Sequence, residues 1–115
     1  DLKRKGVFYM RTEENLNGGK GCAYIQELLD KEQMNGKCSL YAQIILEPGS
    51  SIGYHVHHGE CETYFILRGE GEYNDNGALR SVREGDVTYT SDGCGHALKN
   101  TGKENLVFMA LIIYI

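Results

Sequence analysis

The fold is most readable in residues 49–69, GSSIGYHVHHGECETYFILRG. Residues two apart on a β-strand face the same side, so His55 and His57 share one face. Gly59 is suited to a tight turn, after which Thr63–Leu67 forms a strongly apolar second strand. The stretch therefore predicts two short antiparallel strands joined at Gly59.

The short-strand pattern continues on both sides of this stretch. Leu40–Glu47 is rich in β-forming residues and stops at Pro48, while Asn74–Gly77 carries a strong hairpin signal. Leu106–Ile115 is the longest apolar run, at ten residues, and we predict a strand that is buried on both faces. Since no convincing amphipathic helix follows residue 40, the spacing indicates an all-β sandwich or barrel.

The first forty residues are less regular. Residues 1–20 are charged and contain glycines, which predicts an N-terminal arm or an edge strand, and Val7–Met10 can pair as a strand within it. Residues 22–29 fit either a strand or a helical turn. Residues 30–37 are polar and end in an Asn-Gly turn signal.

The composition is that of one globular domain. The 115 residues are 41% hydrophobic and 24% charged, and we expect a single domain over residues 1–115 with its barrel core at about 38–115. The net charge of −4 offers no basic field for nucleic acid, and the longest apolar run is about half of a membrane span. No signal peptide is visible, so we predict a soluble, cytoplasmic protein without a nucleic-acid or membrane partner.

Histidines and acids are concentrated in one short part of the sequence, residues 55–62. Glu62 follows His57 by five residues, and the turn at Gly59 returns it to the same interior face. His96 lies far along the chain and must arrive by long-range strand pairing. Three neutral imidazoles and one carboxylate suit a first-row divalent metal, and four ligands leave about two positions open on an octahedral ion.

Two neighbouring side chains fall outside this pattern. His58 points to the opposite face from His57, and we expect His58 and Glu60 to face solvent. Glu60 remains an alternative ligand if the turn is built differently.

Two spaced patterns carry a family resemblance. The first contains, in order, Gly49, five residues, His55-Val56-His57, four residues, Glu62, six residues and Gly69. The second contains, in order, Gly85, five residues, Ser91-Asp92-Gly93, two residues, His96, three residues and Asn100. These patterns resemble the two motifs of the cupin family, with Ser91 where the family usually has proline, a departure that removes no ligand.

The cupin resemblance implies a fold and a metal site. The fold would be an antiparallel double-stranded β-helix, the jelly-roll barrel, in which Asn100 has a structural role. The site would hold one divalent transition metal per chain, either Mn, Fe, Ni or Zn, with the ligands His55, His57, Glu62 and His96.

The resemblance also implies a small-molecule partner. We predict a metal-dependent enzyme of the decarboxylase, dioxygenase, lyase or isomerase type, acting on a small oxygenated molecule such as a carboxylate or a sugar derivative. The alternatives are a non-catalytic binding or sensor module with a bound metal, and a storage or structural barrel. The inward-facing Tyr64 is a candidate catalytic proton donor or a core residue, and Tyr54 and Tyr41 are further candidates.

The outward side of the strand after Gly59 predicts a covered surface. Phe65 and Leu67 are apolar where the outside of a barrel strand is usually polar, so we expect a cover, either the N-terminal segment or a second subunit. On this basis we predict a homodimer.

The four cysteines form no closely spaced pair. We interpret Cys61 and Cys94, which lie near the predicted ligands, as packing thiols. The alternatives are metal ligation by Cys94 and a Cys61–Cys94 disulfide at the mouth of the barrel.

Overall fold

The computed structural model describes residues 10–115, so Val7–Tyr9 of the predicted N-terminal strand lie outside the described residues. Over these residues the chain forms ten strands, one short α-helix and a 3-10 turn at Leu16–Gly18. The elements are β1 Arg11–Glu14, β2 Cys22–Glu27, α1 Lys31–Met34, β3 Cys38–Leu46, β4 Ser51–Val56, β5 Glu60–Arg68, β6 Glu70–Asp75, β7 Ala78–Arg83, β8 Val87–Thr90, β9 Gly95–Asn100 and β10 Leu106–Tyr114.

The strands form two antiparallel sheets. One has six strands in the order β1-β2-β3-β10-β5-β8, and the other has four in the order β4-β9-β6-β7. The buried core draws apolar side chains from both sheets, among them Ile44 and Phe108 from the first and Ile52 and Leu98 from the second. This arrangement confirms the predicted all-β jelly-roll barrel.

Burial alternates along the long strands, because one face of each meets the core and the other faces outward. In β10, Leu106, Phe108 and Ala110 are buried, whereas the alternate residues are only partly buried and Ile113 and Tyr114 are exposed. The prediction that this run is buried on both faces is therefore wrong. An apolar run alone did not distinguish a core strand from one with an apolar outer face.

The N-terminal region resolves the alternatives that the sequence left open. Residues 22–27 form a strand, and Arg11–Glu14 pairs with it as the edge strand of the larger sheet. Within the polar segment 30–37, Lys31–Met34 makes one helical turn, which Asp30 begins with a reciprocal capping box.

The predicted hairpin and the structural role of Asn100 are both confirmed. Asn76 and Gly77 both have positive φ angles, as a two-residue type I′ turn between β6 and β7 requires. The buried Asn100 amide donates to the carbonyls of Leu46 and Glu104 at 2.8 Å and accepts from the backbone N–H of Gly102 at 2.9 Å. Over residues 10–115, no helix is long and apolar enough to cross a bilayer.

Candidate metal centre

A β-bulge in β4 turns two histidines toward the barrel interior. Ile52 pairs with Leu98 and His55 pairs with His96, so that two residues of β4 lie opposite one residue of β9. The inward face consequently changes from the even position Ile52 to the odd positions His55 and His57, while Tyr54 is 48% exposed. Without the bulge, Tyr54 would occupy the inward position and both histidines would face outward.

Gly53 lies within this bulge, at a close approach of two backbone segments. A Cβ atom on Gly53 would collide with the carbonyl oxygen of Asn17, because the loop after β1 lies directly against this strand. A glycine in the middle of a predicted strand often marks a bulge or a close backbone approach. Gly53 within the predicted strand is therefore the sequence signal for this bulge.

The other two residues of the group come from strands on opposite sides of the barrel. Glu62 faces inward from β5, as expected, although the strand begins two residues earlier than its position. His96 lies on β9 and is fully buried, directly opposite His55. The long-range pairing that the sequence required for His96 is therefore provided by the β4–β9 ladder.

Four ligand atoms converge at one point. The Oε1 atom of Glu62 lies 3.0 Å from His57 Nε2, 2.9 Å from His96 Nε2 and 3.9 Å from His55 Nε2. The Nε2 atom of His96 lies 3.0 Å from that of His57 and 3.1 Å from that of His55. The four atoms all lie within 4.8 Å of one another, so these residues could hold a metal ion.

The outer nitrogen of each imidazole is already hydrogen-bonded. His55 Nδ1 donates to the carbonyl oxygen of Gly53, and His57 Nδ1 donates to Glu60 Oε1, both at 2.7 Å. Both partners are acceptors only, so Nδ1 carries the proton and a neutral ring presents the lone pair of Nε2 inward.

His96 is held differently from the other two histidines. Its Nδ1 atom lies 2.8 Å from the hydroxyl of Tyr73 and 2.9 Å from that of Thr90. No local sequence pattern indicates Tyr73 or Thr90, because only long-range pairing places them behind His96. Hydrogen bonds of this kind commonly fix the orientation and tautomer of histidines that bind metals.

The donor set fits a divalent transition metal. With the outer nitrogens of His55 and His57 protonated, their Nε2 lone pairs and the carboxylate of Glu62 are acceptors directed at the same point. A cation at this point would be attracted by all of them, and imidazole nitrogens with one carboxylate suit first-row divalent ions.

The three imidazoles keep the buried Glu62 ionised. Burial acts to raise the pKa of Glu62, but contacts with the three imidazoles outweigh it and hold that pKa well below its usual range. Its contact with Glu62 raises the pKa of His57, whereas burial lowers the pKa of His96. Glu62 is therefore a carboxylate at neutral pH.

A cavity of about 370 Å³ opens beside the group. Tyr64 lines it and stacks on His96 with the ring centroids 4.9 Å apart, and burial raises the pKa of its phenol well above 10, so the hydroxyl stays protonated. Tyr54 and Tyr41 are not among the residues that line this cavity, which removes the geometric support for a catalytic role. Glu60 was expected to face solvent, but it lines the cavity. It accepts a hydrogen bond from His57 and is not one of the four residues whose ligand atoms converge.

The remaining side chains near the group lie outside it. His58 is exposed, as expected. All four cysteines are free, so the alternative Cys61–Cys94 disulfide is absent, and Cys94 accepts a hydrogen bond from the Ser91 hydroxyl at 3.3 Å. Neither cysteine belongs to the possible metal-binding group.

The fold and the histidine-carboxylate group together define the class of protein. Residues 42–114 match the family described as Cupin domain, and the chain belongs to that family. The candidate functional site of this chain is the part of the barrel in which the four potential metal ligands meet.

The chain is similar to particular members of known families of proteins. The chain is 46% identical over 101 residues to the oxalate-binding protein of Thermotoga maritima, covering 88% of this chain and 84% of that protein. A crystal structure of a predicted oxalate decarboxylase from Thermotoga maritima superposes with a TM-score of 0.92 and 43% identity over 96% of both chains. An uncharacterized protein of Methanocaldococcus jannaschii is 30% identical over 83 residues, covering 72% of this chain and 66% of that protein.

Proposed function

We propose that this protein binds one divalent transition-metal ion through His55, His57, Glu62 and His96, and that the ion binds a small carboxylate of the oxalate class. The observation that carries the proposal is the convergence of four ligand atoms that lie as close as 2.9–3.1 Å. A divalent cation placed among them would be attracted by the Glu62 carboxylate and by the imidazole lone pairs.

Two relatives support the class of ligand. The chain is similar to a protein named for oxalate binding and to a structure described as a predicted oxalate decarboxylase. A six-coordinate ion with four protein ligands has two positions left, which suits a ligand with two adjacent oxygens. A bound divalent ion would neutralise the negative charge of the carboxylate and polarise it.

Residues of the chain itself supply orientation and exclude water. The Tyr64 hydroxyl, kept protonated by burial, lies beside the Glu62 carboxylate and would donate a hydrogen bond either to that carboxylate or to a ligand oxygen in the cavity. Ile44 and Ile52 are buried apolar walls of the same cavity and limit the access of water to the carboxylate.

Metal content and oxalate binding test this proposal. Alanine variants of His57 and His96 should lose most of the metal that elemental analysis finds in the purified protein, because each removes a ligand. His58→Ala is the matched control, since His58 is exposed beside the group, and it should keep a full equivalent. Oxalate should bind the metal-loaded protein in calorimetry and not the metal-free protein. Full metal occupancy in both His57→Ala and His96→Ala would contradict the site.

A second candidate is decarboxylation of the bound ligand. The description of one similar structure as a predicted oxalate decarboxylase and the protonated Tyr64 beside the group favour it. Oxalate and one proton would yield formate and carbon dioxide, with Tyr64 positioned to supply a proton. Formate should accumulate with the metal-loaded protein and more slowly with Tyr64→Phe. Oxalate binding without formate production would leave the protein a binding module.

A further inference from the structure

The cavity beside the four ligand residues is larger than oxalate. It measures about 370 Å³, whereas a cavity of roughly 150 Å³ holds benzene, which has as many heavy atoms as oxalate. An oxalate ion at the metal position would therefore leave more than half of the space to water or to a further part of the ligand.

One side of this extra space is apolar. Strand register places Leu40 and Ile112 in a row with Glu62 across the inner face of the larger sheet. Ile25 and Ile44 are paired neighbours in β2 and β3, and both are buried cavity walls. Oxalate has no apolar surface to cover these side chains. It therefore neither fills the volume of the cavity nor contacts its apolar side chains favourably.

A second carboxylate at the far end of the ligand would find no free cation. Apart from histidine, Arg11 is the one cationic side chain among the described residues that line the cavity. Its guanidinium already contacts Glu27 at 2.6 Å and Glu13 at 3.3 Å. Glu60 adds a further carboxyl group to the cavity wall. A ligand with an uncharged distal end is thus favoured over a dicarboxylate of greater length.

We propose that the preferred ligand is a 2-oxo or 2-hydroxy carboxylate with an apolar tail of about three to four carbons. The cavity has room for such a tail, because its volume is more than twice that of a cavity that holds benzene. This inference rests on the proposed function, because the adjacent oxygens of the head group would occupy the metal. The tail lies against Leu40, Ile44 and Ile112. Oxalate shares the chelating head and lacks the tail.

A chain-length series tests the inference. Calorimetry on the Co²⁺-loaded protein would compare oxalate with pyruvate, 2-oxobutanoate, 2-oxopentanoate and 2-oxohexanoate. Each added methylene should tighten binding about three- to fourfold, as expected for transfer into an apolar site. The distal carboxylate of 2-oxoglutarate should make it bind at least tenfold more weakly than 2-oxopentanoate, which has the same number of carbons.

A matched pair of variants locates the tail. Leu40→Ala should reduce several-fold the increase in affinity from pyruvate to 2-oxohexanoate. It should leave the affinity for oxalate unchanged. Ile45→Ala is the control, because Ile45 lies on the same strand, is also partly buried and faces away from the core. It should leave both affinities unchanged.

The outcomes separate this inference from the proposed function. If oxalate binds and affinity stays flat or falls along the series, the apolar-tail ligand is wrong while the metal-dependent carboxylate site stands. Equal effects of Leu40→Ala and Ile45→Ala on the series would also overturn it. If neither oxalate nor any 2-oxo acid binds the Co²⁺-loaded protein, both proposals fail.

Discussion

His96 is the one imidazole of the group whose outer nitrogen contacts hydroxyls in place of an acceptor-only oxygen. Tyr73 and Thr90 both contact its Nδ1 atom, and their own oxygens lie 2.7 Å apart. Tyr73 and His96 are both fully buried, so water has no access to replace either hydroxyl. This triangle of contacts fixes the plane of the His96 ring and keeps its Nε2 atom directed at Glu62.

We therefore predict that Tyr73→Phe weakens metal binding about 10- to 100-fold, the usual effect of losing an outer hydrogen bond to a metal-binding histidine. Competition with a coloured chelator measures the affinity, and the visible spectrum of bound Co²⁺ reports the change at the site itself. Tyr54→Phe is the control, because Tyr54 is exposed on the outer side of the bulge. Unchanged affinity and an unchanged spectrum in Tyr73→Phe would contradict the role of this hydroxyl.

Asn100 is a single buried residue that contributes to folding stability. Its buried side chain makes three hydrogen bonds to backbone groups of Leu46, Gly102 and Glu104. Asn100→Ala should lower the free energy of unfolding by about 1–3 kcal/mol, since it removes the side-chain donor from the buried carbonyl of Leu46 and from the partly buried carbonyl of Glu104. Urea denaturation measures this value, and a loss below about 0.5 kcal/mol would show that these bonds are dispensable.

At the scale of the element, the bulge in β4 controls which side chains reach the interior. Gly53 is required there because the backbone at Asn17 occupies the space of a side chain. Gly53→Ala should displace the bulge, lower stability by about 1–3 kcal/mol and weaken metal binding, because His55 and His57 lie directly after it. Elemental analysis and urea denaturation measure the two effects.

A glycine substitution at an open turn provides the control for this prediction. Gly36→Asn adds a side chain where nothing lies within 4 Å, and asparagine tolerates the left-handed backbone there. Its metal content should match that of the unchanged protein. If Gly53→Ala also keeps full metal content, the bulge does not govern the orientation of the two histidines.

The bulge also shows where sequence-based prediction succeeded and where it stopped. Strand alternation and the turn at Gly59 were enough to predict one shared face for His55, His57 and Glu62, because both depend on local sequence. His96 was added only by the resemblance of the second spaced pattern to a cupin motif. The bulge and the contact of Tyr73 with His96 were not predicted, since both result from packing between strands distant in sequence. The apolar outer face of β10 was misjudged for the same reason: no local pattern shows which face meets the second sheet.

At the scale of the whole molecule, the candidate metal centre links the two sheets. His55 and His96 belong to the four-stranded sheet, whereas Glu62 belongs to the six-stranded one. An ion held by all of them would cross-link the barrel, and a ligand that binds only the folded state raises stability. The metal should therefore contribute to folding as well as to ligand binding.

We predict that removing the metal with a chelator lowers the free energy of unfolding by about 2.7 kcal/mol relative to protein with free metal at 100 times its Kd. Calorimetry should show this as a fall in Tm that readdition of the metal reverses. Glu62→Ala is the informative variant, because it removes the ligand from one sheet and should make Tm nearly independent of metal. The same Tm for metal-free and metal-loaded protein would contradict the cross-link.

The outer face of the larger sheet carries an apolar patch that we predict to be the dimer interface. Phe65 and Val87 are directly opposite each other on β5 and β8, with 43% and 60% of their surface exposed, and Tyr89 lies beside them at 57%. An apolar patch across paired strands is typical of a protein interface. We predict that a second copy of the chain covers this patch.

Light scattering should accordingly give twice the chain mass of 12.9 kDa at micromolar concentration. The double variant Phe65→Ser and Tyr89→Ser should give a monomer, because it removes the centre of the apolar patch while leaving the core unchanged. Leu79→Ser is the matched control, since Leu79 is 62% exposed on β7 of the other sheet, and it should remain dimeric. A monomer for the unchanged protein would contradict the dimer. A dimer that survives the double variant would place the interface elsewhere on the barrel.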